Sequence, residues 1–162
     1  MKYALSLIFI FALGCFYFIH DTYTVTRVID GDTLVVSRYG KEVPVRLIGI
    51  DAPEEGYCYA EEGRQTLERM VGESVTLQMD DAQNAYDAYG RILAYVYADD
   101  VLLNREMIKG GYAREYTYIV PYSFQEDFQS VESKAQATLQ GGWQACEDWL
   151  TRQCGEGMLC SL

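Results

Sequence analysis

The chain has 162 residues, 49% hydrophobic and 23% charged, which suits one domain with a self-sufficient core and excludes a disordered chain. Its 24 acidic and 13 basic residues give a net charge of −11. That balance favours solubility and argues against tight, non-specific attachment to long polyanions, which needs a basic face. Fourteen tyrosines suit a β-sheet protein, since tyrosine packs and hydrogen-bonds at once, though composition alone proves nothing more.

Lys2 precedes an uncharged, mostly apolar run from Tyr3 to Ile19. A positive start followed by an apolar segment is an export signal or an anchor. The run is at the short limit for crossing a bilayer. Ala12-Leu13-Gly14 is a small-x-small triplet of the kind cut by a signal peptidase, and Cys15 follows it, as in a bacterial lipoprotein box. Release, lipidation at Cys15 and retention as an anchor through residues 1–20 all place the domain outside the cytoplasm: secreted, periplasmic or membrane-attached. Four further cysteines, Cys58, Cys146, Cys154 and Cys160, are an even number and fit two disulfides in any of three pairings. A zinc site is the weaker reading, because there is no Cys-x-x-Cys pair and His20 is the only histidine.

Strands are expected over Tyr23–Ile29, Thr33–Ser37 and Val43–Ile48, joined by turns at Asp30-Gly31-Asp32 and Tyr39-Gly40-Lys41. A helix follows over Ala60–Val71, closed by Gly72. Ser74–Met79 returns to strand, 80–88 is polar and loop-like, and Arg91–Ala98 is again strand. Val101–Lys109 reads as a short helix ended by Gly110-Gly111. Phe124, Phe128, Val131, Ala135 and Leu139 repeat at helical spacing. The expected class is α+β: a five-stranded barrel, compatible with an OB-fold, with about three packed helices. Domain organisation is expected to be an export segment over 1–20, a folded domain over 21–143 and a cysteine-rich tail over 144–162.

Two segments carry chemistry, Ile29-Asp30-Gly31-Asp32-Thr33 and the run from Val45 to Glu54. They set carboxylates and Arg46 at the ends of adjacent strands, where oxygen ligands suit a hard cation such as calcium. An EF-hand is excluded, because Leu34 and Val35 stand where it needs a ligand and a glycine. Arg46 lies within an alternating strand, where a buried charge needs an anionic partner. It either bridges to a nearby aspartate or clamps a phosphate in bidentate fashion. Glu54 follows Pro53, which fixes the backbone ahead of it; it is either a solvated loop acid or a positioned one. Asp87-Ala88-Tyr89-Gly90-Arg91 delivers a second guanidinium by a glycine turn, as the charge that builds during phosphodiester cleavage would require.

These three segments, in this order and register, resemble the staphylococcal nuclease family from about Tyr23 to Trp143. The resemblance rests on the Asp-Gly-Asp-Thr turn, the Arg46-to-Asp51-x-Pro53-Glu54 segment, the Tyr-Gly-Arg-x-Leu-Ala-Tyr strand from Tyr89 to Tyr95, and the helix carrying Asn104. It implies that Asp32 and Asp51 ligate calcium by side chain and Ala52 by its carbonyl, with Asp30 behind them. It implies that Arg46 and Arg91 hold the scissile phosphate and that Glu54 is the general base or orients the attacking water. The implied activity is calcium-dependent endonucleolytic hydrolysis of DNA or RNA, single-stranded or frayed, leaving 3′-phosphate ends. Tyr89, Tyr116 and Tyr118 are left to pack or hydrogen-bond a nucleotide, or else to pack on the barrel surface. Relative to the family's founding member, Ala52 replaces a threonine, the Glu55–Tyr59 loop is shorter and lacks lysines, and Ala88 stands where a lysine approaches the terminal phosphate. The alternatives are a catalytically inactive nucleic-acid-binding module, secreted or membrane-anchored, and a surface-anchored adhesion protein. The latter gives no reason for Arg46, Asp51 and Glu54 to occur at this spacing. No protein partner is evident from the sequence.

Overall fold

The structure, a computed structural model, describes residues 22–147 and Trp149. Residues 1–20, expected to be an export segment, with Cys15, and Cys154 and Cys160 of the expected tail, lie outside the described residues. β1 (Thr22–Val28), β2 (Thr33–Arg38) and β3 (Lys41–Leu47) form an antiparallel meander, with Val28 opposite Leu34 and Thr33 opposite Arg46. Only Tyr39 and Gly40 separate β2 from β3, both at positive φ, as a two-residue hairpin of the I′ kind requires. The third strand therefore starts at Lys41, two residues before the position its hydrophobic alternation marks.

A two-residue strand β4 (Ile50–Asp51) leads into α1 (Ala60–Val71), which buries Leu67 and Val71 and ends at Gly72 with φ of 59°. β5 (Ser74–Gln78) pairs with β1, and β6 (Ile92–Ala98) pairs antiparallel with β5 and parallel with β3. The β3–β6 ladder closes five strands into a mixed barrel in the order β3-β2-β1-β5-β6. This is the expected α+β barrel.

After β6 the chain departs from expectation. Asp99 and Asp100 both take positive φ, so Val101 folds back opposite Ala98 as β7 (Val101–Leu102), and α2 is confined to Leu103–Lys109. Aspartate tolerates the left-handed region and β-branched Val101 favours the hairpin. β8 (Arg114–Glu115) pairs with β4, α3 spans Gln125–Ala137, and a single turn, α4 (Gly142–Ala145), makes a fourth helix beyond the three expected.

The core joins Leu34, Val36, Val45 and Val96 of the barrel to Leu67 of α1, Met107 of α2 and Phe128 of α3. Each such side chain contributes about 1.5–3 kcal/mol by leaving water. A Cys58–Cys146 disulfide ties the loop before α1 to the end of α4. Of the pairings open to Cys58, this is the one formed. Trp149 packs beyond it, edge-on to Tyr59.

Candidate active site

The site begins at the β1–β2 turn. Asp30 Oδ1 accepts the Asp32 amide at 2.9 Å, which shapes the turn and aims Asp32 inward. A Cβ on Gly31 would lie 2.7 Å from Cβ of Ala52, so only glycine lets this turn meet the Ala52 segment. Asp32 is buried; its Oδ1 accepts the Thr33 hydroxyl at 2.9 Å and its Oδ2 the Ala52 amide at 2.7 Å. Burial pushes the Asp32 carboxyl up to about 7, with Asp30 adding repulsion, although Arg46, the Ala52 amide and the Thr33 hydroxyl oppose the shift.

Arg46 projects from β3 into this cluster. Its Nη2 lies 3.1 Å from Asp32 Oδ2 and 3.2 Å from Asp51 Oδ1, while its Nη1 donates to the carbonyls of Leu47 (3.0 Å) and Ile50 (2.8 Å). The salt-bridge reading of Arg46 is thus realised, and the same guanidinium also faces a cleft of about 500 Å³. Asp51, Arg91, Tyr89, Tyr116 and Tyr118 line that cleft with it. On its far wall Arg91 is held by Asp87, with Nε to Oδ2 at 2.6 Å, and stands 5.6 Å from the centre of the Tyr89 ring.

Tyr89 and Tyr118 are 86% and 78% exposed, and Tyr116 is 39% exposed. The first two stand clear of the barrel as a rim rather than packing on it. Glu54 is exposed and is not among the residues lining the cleft; its carbonyl accepts the Tyr57 amide at 3.0 Å. Asp30, Asp32 and Ala52 also lie behind the lining rather than in it.

Among the described residues no three His, Cys, Asp or Glu side chains cluster as a metal cage. The donor set is nevertheless suited to a hard cation. Asp32 Oδ2 and Asp51 Oδ1 converge on one nitrogen, so the two carboxylates could share one cation.

Three residues to which the sequence assigned no role shape the site: Asp87 and Asn104, which it named only as parts of motifs, and Tyr122, which it did not name. Asp87 orients Arg91, and its place four residues before an arginine across a glycine turn was a usable signal. Asn104, fully buried, donates to the Ile48 carbonyl at 2.8 Å. Tyr122 lines the cleft floor, and its hydroxyl lies 3.2 Å from the Gly49 carbonyl.

A closed mixed barrel with two arginines on one cleft defines an OB-type domain. Comparison with known proteins gives the family. The family described as "Staphylococcal nuclease homologue" matches residues 44–145. The thermonuclease of Staphylococcus hyicus is 35% identical over 130 residues, covering 76% of each chain. That of Staphylococcus intermedius is 32% identical over 132 residues, covering 76% of this chain and 77% of its own. Endonuclease YncB of Bacillus subtilis (strain 168) is 34% identical over 128 residues, 74% of this chain and 60% of that one. The chain belongs to the staphylococcal nuclease family.

Proposed function

We propose that this protein is a calcium-dependent nuclease that hydrolyses phosphodiester bonds in DNA or RNA and leaves 3′-phosphate ends. The observation that carries the reading is the placement of Arg46, Arg91 and Asp51 on one cleft, with the buried Asp32 sharing the Arg46 guanidinium with Asp51. Two guanidiniums at one cleft suit a phosphate whose negative charge rises during in-line attack. The exposed tyrosine rim suits unpaired bases, whose faces stack on aromatic rings, so the substrate is single-stranded or frayed.

Calcium, when held by Asp32, Asp51 and the Ala52 carbonyl, supplies positive charge to a phosphate oxygen and to a bound water. Arg46 and Arg91 orient the phosphate and neutralise its equatorial oxygens. Glu54, three residues beyond Asp51, accepts the proton of the attacking water after its loop turns toward the cleft. Residues 1–20 direct the domain outside the cytoplasm, in keeping with the Cys58–Cys146 disulfide.

The position of Glu54 outside the cleft lining favours a second reading, a nucleic-acid-binding module without catalysis. The two separate on incubation with single-stranded DNA and RNA in calcium, in magnesium and in chelator, alongside Glu54→Gln and Arg91→Ala. Calcium-dependent cleavage lost in both variants is expected. Cleavage that persists in chelator, or that both variants keep, refutes the nuclease mechanism; tight binding without cleavage favours the module.

A further inference from the structure

We propose that Tyr122 is a positioning residue for the Arg46 clamp, an inference that rests on the nuclease reading only for its kinetic readout. The turn from Leu47 to Ile50 presents four consecutive carbonyls, and all four are engaged. From the cleft side, Arg46 Nη1 takes those of Leu47 and Ile50. From the core side Asn104 Nδ2 takes that of Ile48, while the Tyr116 amide (3.0 Å) and the Tyr122 hydroxyl (3.2 Å), both of cleft-lining residues, take that of Gly49. The two carbonyls that aim the guanidinium, of Leu47 and Ile50, thus flank the two, of Ile48 and Gly49, that Asn104 and Tyr122 engage within the same turn.

The Tyr122 ring fixes the turn sterically as well. Gly49 has φ of 76°, and a Cβ there would sit 2.5 Å from Tyr122 Cε2, so the backbone lies flat on the ring. Tyr122 is itself anchored. Its hydroxyl is 2.8 Å from Glu115 Oε1, and its neighbour Ser123 donates its amide to Asp80 Oδ2 at 2.6 Å, a carboxylate that also accepts the buried Tyr95 hydroxyl. The phenol has one proton to donate; the Glu115 carboxylate at 2.8 Å is its stronger acceptor and the Gly49 carbonyl at 3.2 Å its weaker one, which links the turn to the β8 strand that pairs with β4.

Tyr122→Phe tests this without unfolding the domain. It keeps the ring, Gly49 O keeps the Tyr116 amide, and Glu115 Oε1 keeps the Thr117 hydroxyl at 2.6 Å. The full chain is assayed with calcium on a short single-stranded oligodeoxynucleotide, beside Val131→Ala, a core change in α3 away from the cleft. In parallel, the Arg46 guanidinium protons are followed by 15N-resolved NMR in calcium-free protein, assigned by their loss in Arg46→Lys. Tyr122→Phe is expected to lower kcat about tenfold with KM held within about twofold, and to merge Arg46 Nη signals that are separate in the wild type. Val131→Ala is expected to lower Tm and keep kcat. The proposal is overturned if Tyr122→Phe keeps its kcat, if Val131→Ala loses as much, or if the Arg46 signals are unchanged. Should the wild type cleave nothing, the nuclease reading falls and the NMR comparison alone decides the role of Tyr122.

Discussion

Asp87 and Arg91 are joined three times: Arg91 Nε donates to Asp87 Oδ2 at 2.6 Å, the Arg91 amide donates to Oδ1 at 2.9 Å, and the Asp87 amide donates back to the Arg91 carbonyl at 3.0 Å. The carboxylate thus binds the side chain and the turn together. Asp87→Ala frees the guanidinium to swing, and kcat is expected to fall about tenfold. Removing a negative charge from the cleft lowers KM for an oligonucleotide in the same variant. Steady-state kinetics give both numbers, and a rise in KM with unchanged kcat contradicts the assigned role.

Salt dependence measures how much of substrate binding is electrostatic. Among the described residues, only Arg46 and Arg91 bring positive charge to the cleft lining, and each sits against an aspartate. Elsewhere Arg27, Arg64, Arg105 and Lys109 are bridged to acids. With at most two phosphates neutralised, log(kcat/KM) on single strands is expected to fall with log[salt] at a slope no steeper than about −1.5. Ala88→Lys, on the cleft wall, steepens the slope by about 0.7 and raises the affinity for long strands.

Asp32 links pH, metal and stability. Its carboxyl is held up at about 7 by burial. Between about pH 4 and 7 the metal-free folded chain therefore binds a proton that the unfolded chain does not, and stability declines as pH rises through that window. Asp32→Asn is expected to stabilise the metal-free protein at pH 8 by on the order of 1–3 kcal/mol, to be near neutral at pH 4, and to abolish cleavage. Wild-type calcium uptake below pH 7 releases a proton, detectable by calorimetry in buffers of different ionisation enthalpy. Equal stability of variant and wild type at pH 8 removes the basis for this account.

The Cys58–Cys146 bond closes a loop spanning 88 positions. Replacing both cysteines with serine is expected to cost about 2–5 kcal/mol, mostly by enlarging the unfolded ensemble. Denaturant titration of the double variant gives the loss as a lowered midpoint.

The barrel was readable where chemistry repeats. Alternation in the first three strands, the Tyr39-Gly40 turn and the apolar face of α1 each act locally, so each leaves a local pattern. The β4–β8 pair left none, because two residues are too few for a period and its partner strands lie far apart in the chain. At the site, Asp32, Arg46 and Asp51 come from strand ends that meet, which their spacing foreshadowed. The roles of Tyr122 and of Asn104, the latter named only as part of a motif, were invisible for a different reason: both act on main-chain carbonyls, which every residue carries, so no complementary side chain marks the target. Glu54 shows the converse. Its spacing singled it out, yet a turn on an exposed loop leaves its side chain outside the cleft lining.

The parallel ladder between β3 and β6 sets Val45 beside Ile92, and each of these residues adjoins one of the two cleft arginines. Arg46 and Arg91 therefore stand on opposite sides of the barrel's seam, and the spacing between their charges is a property of the closed ladder rather than of either strand. Closing a seam between distant strands is a late, non-local event in folding. A chain that is still extended holds its two guanidiniums on separate stretches with no cleft between them. The pairing of the two arginines on one cleft therefore depends on barrel closure, not on either strand alone.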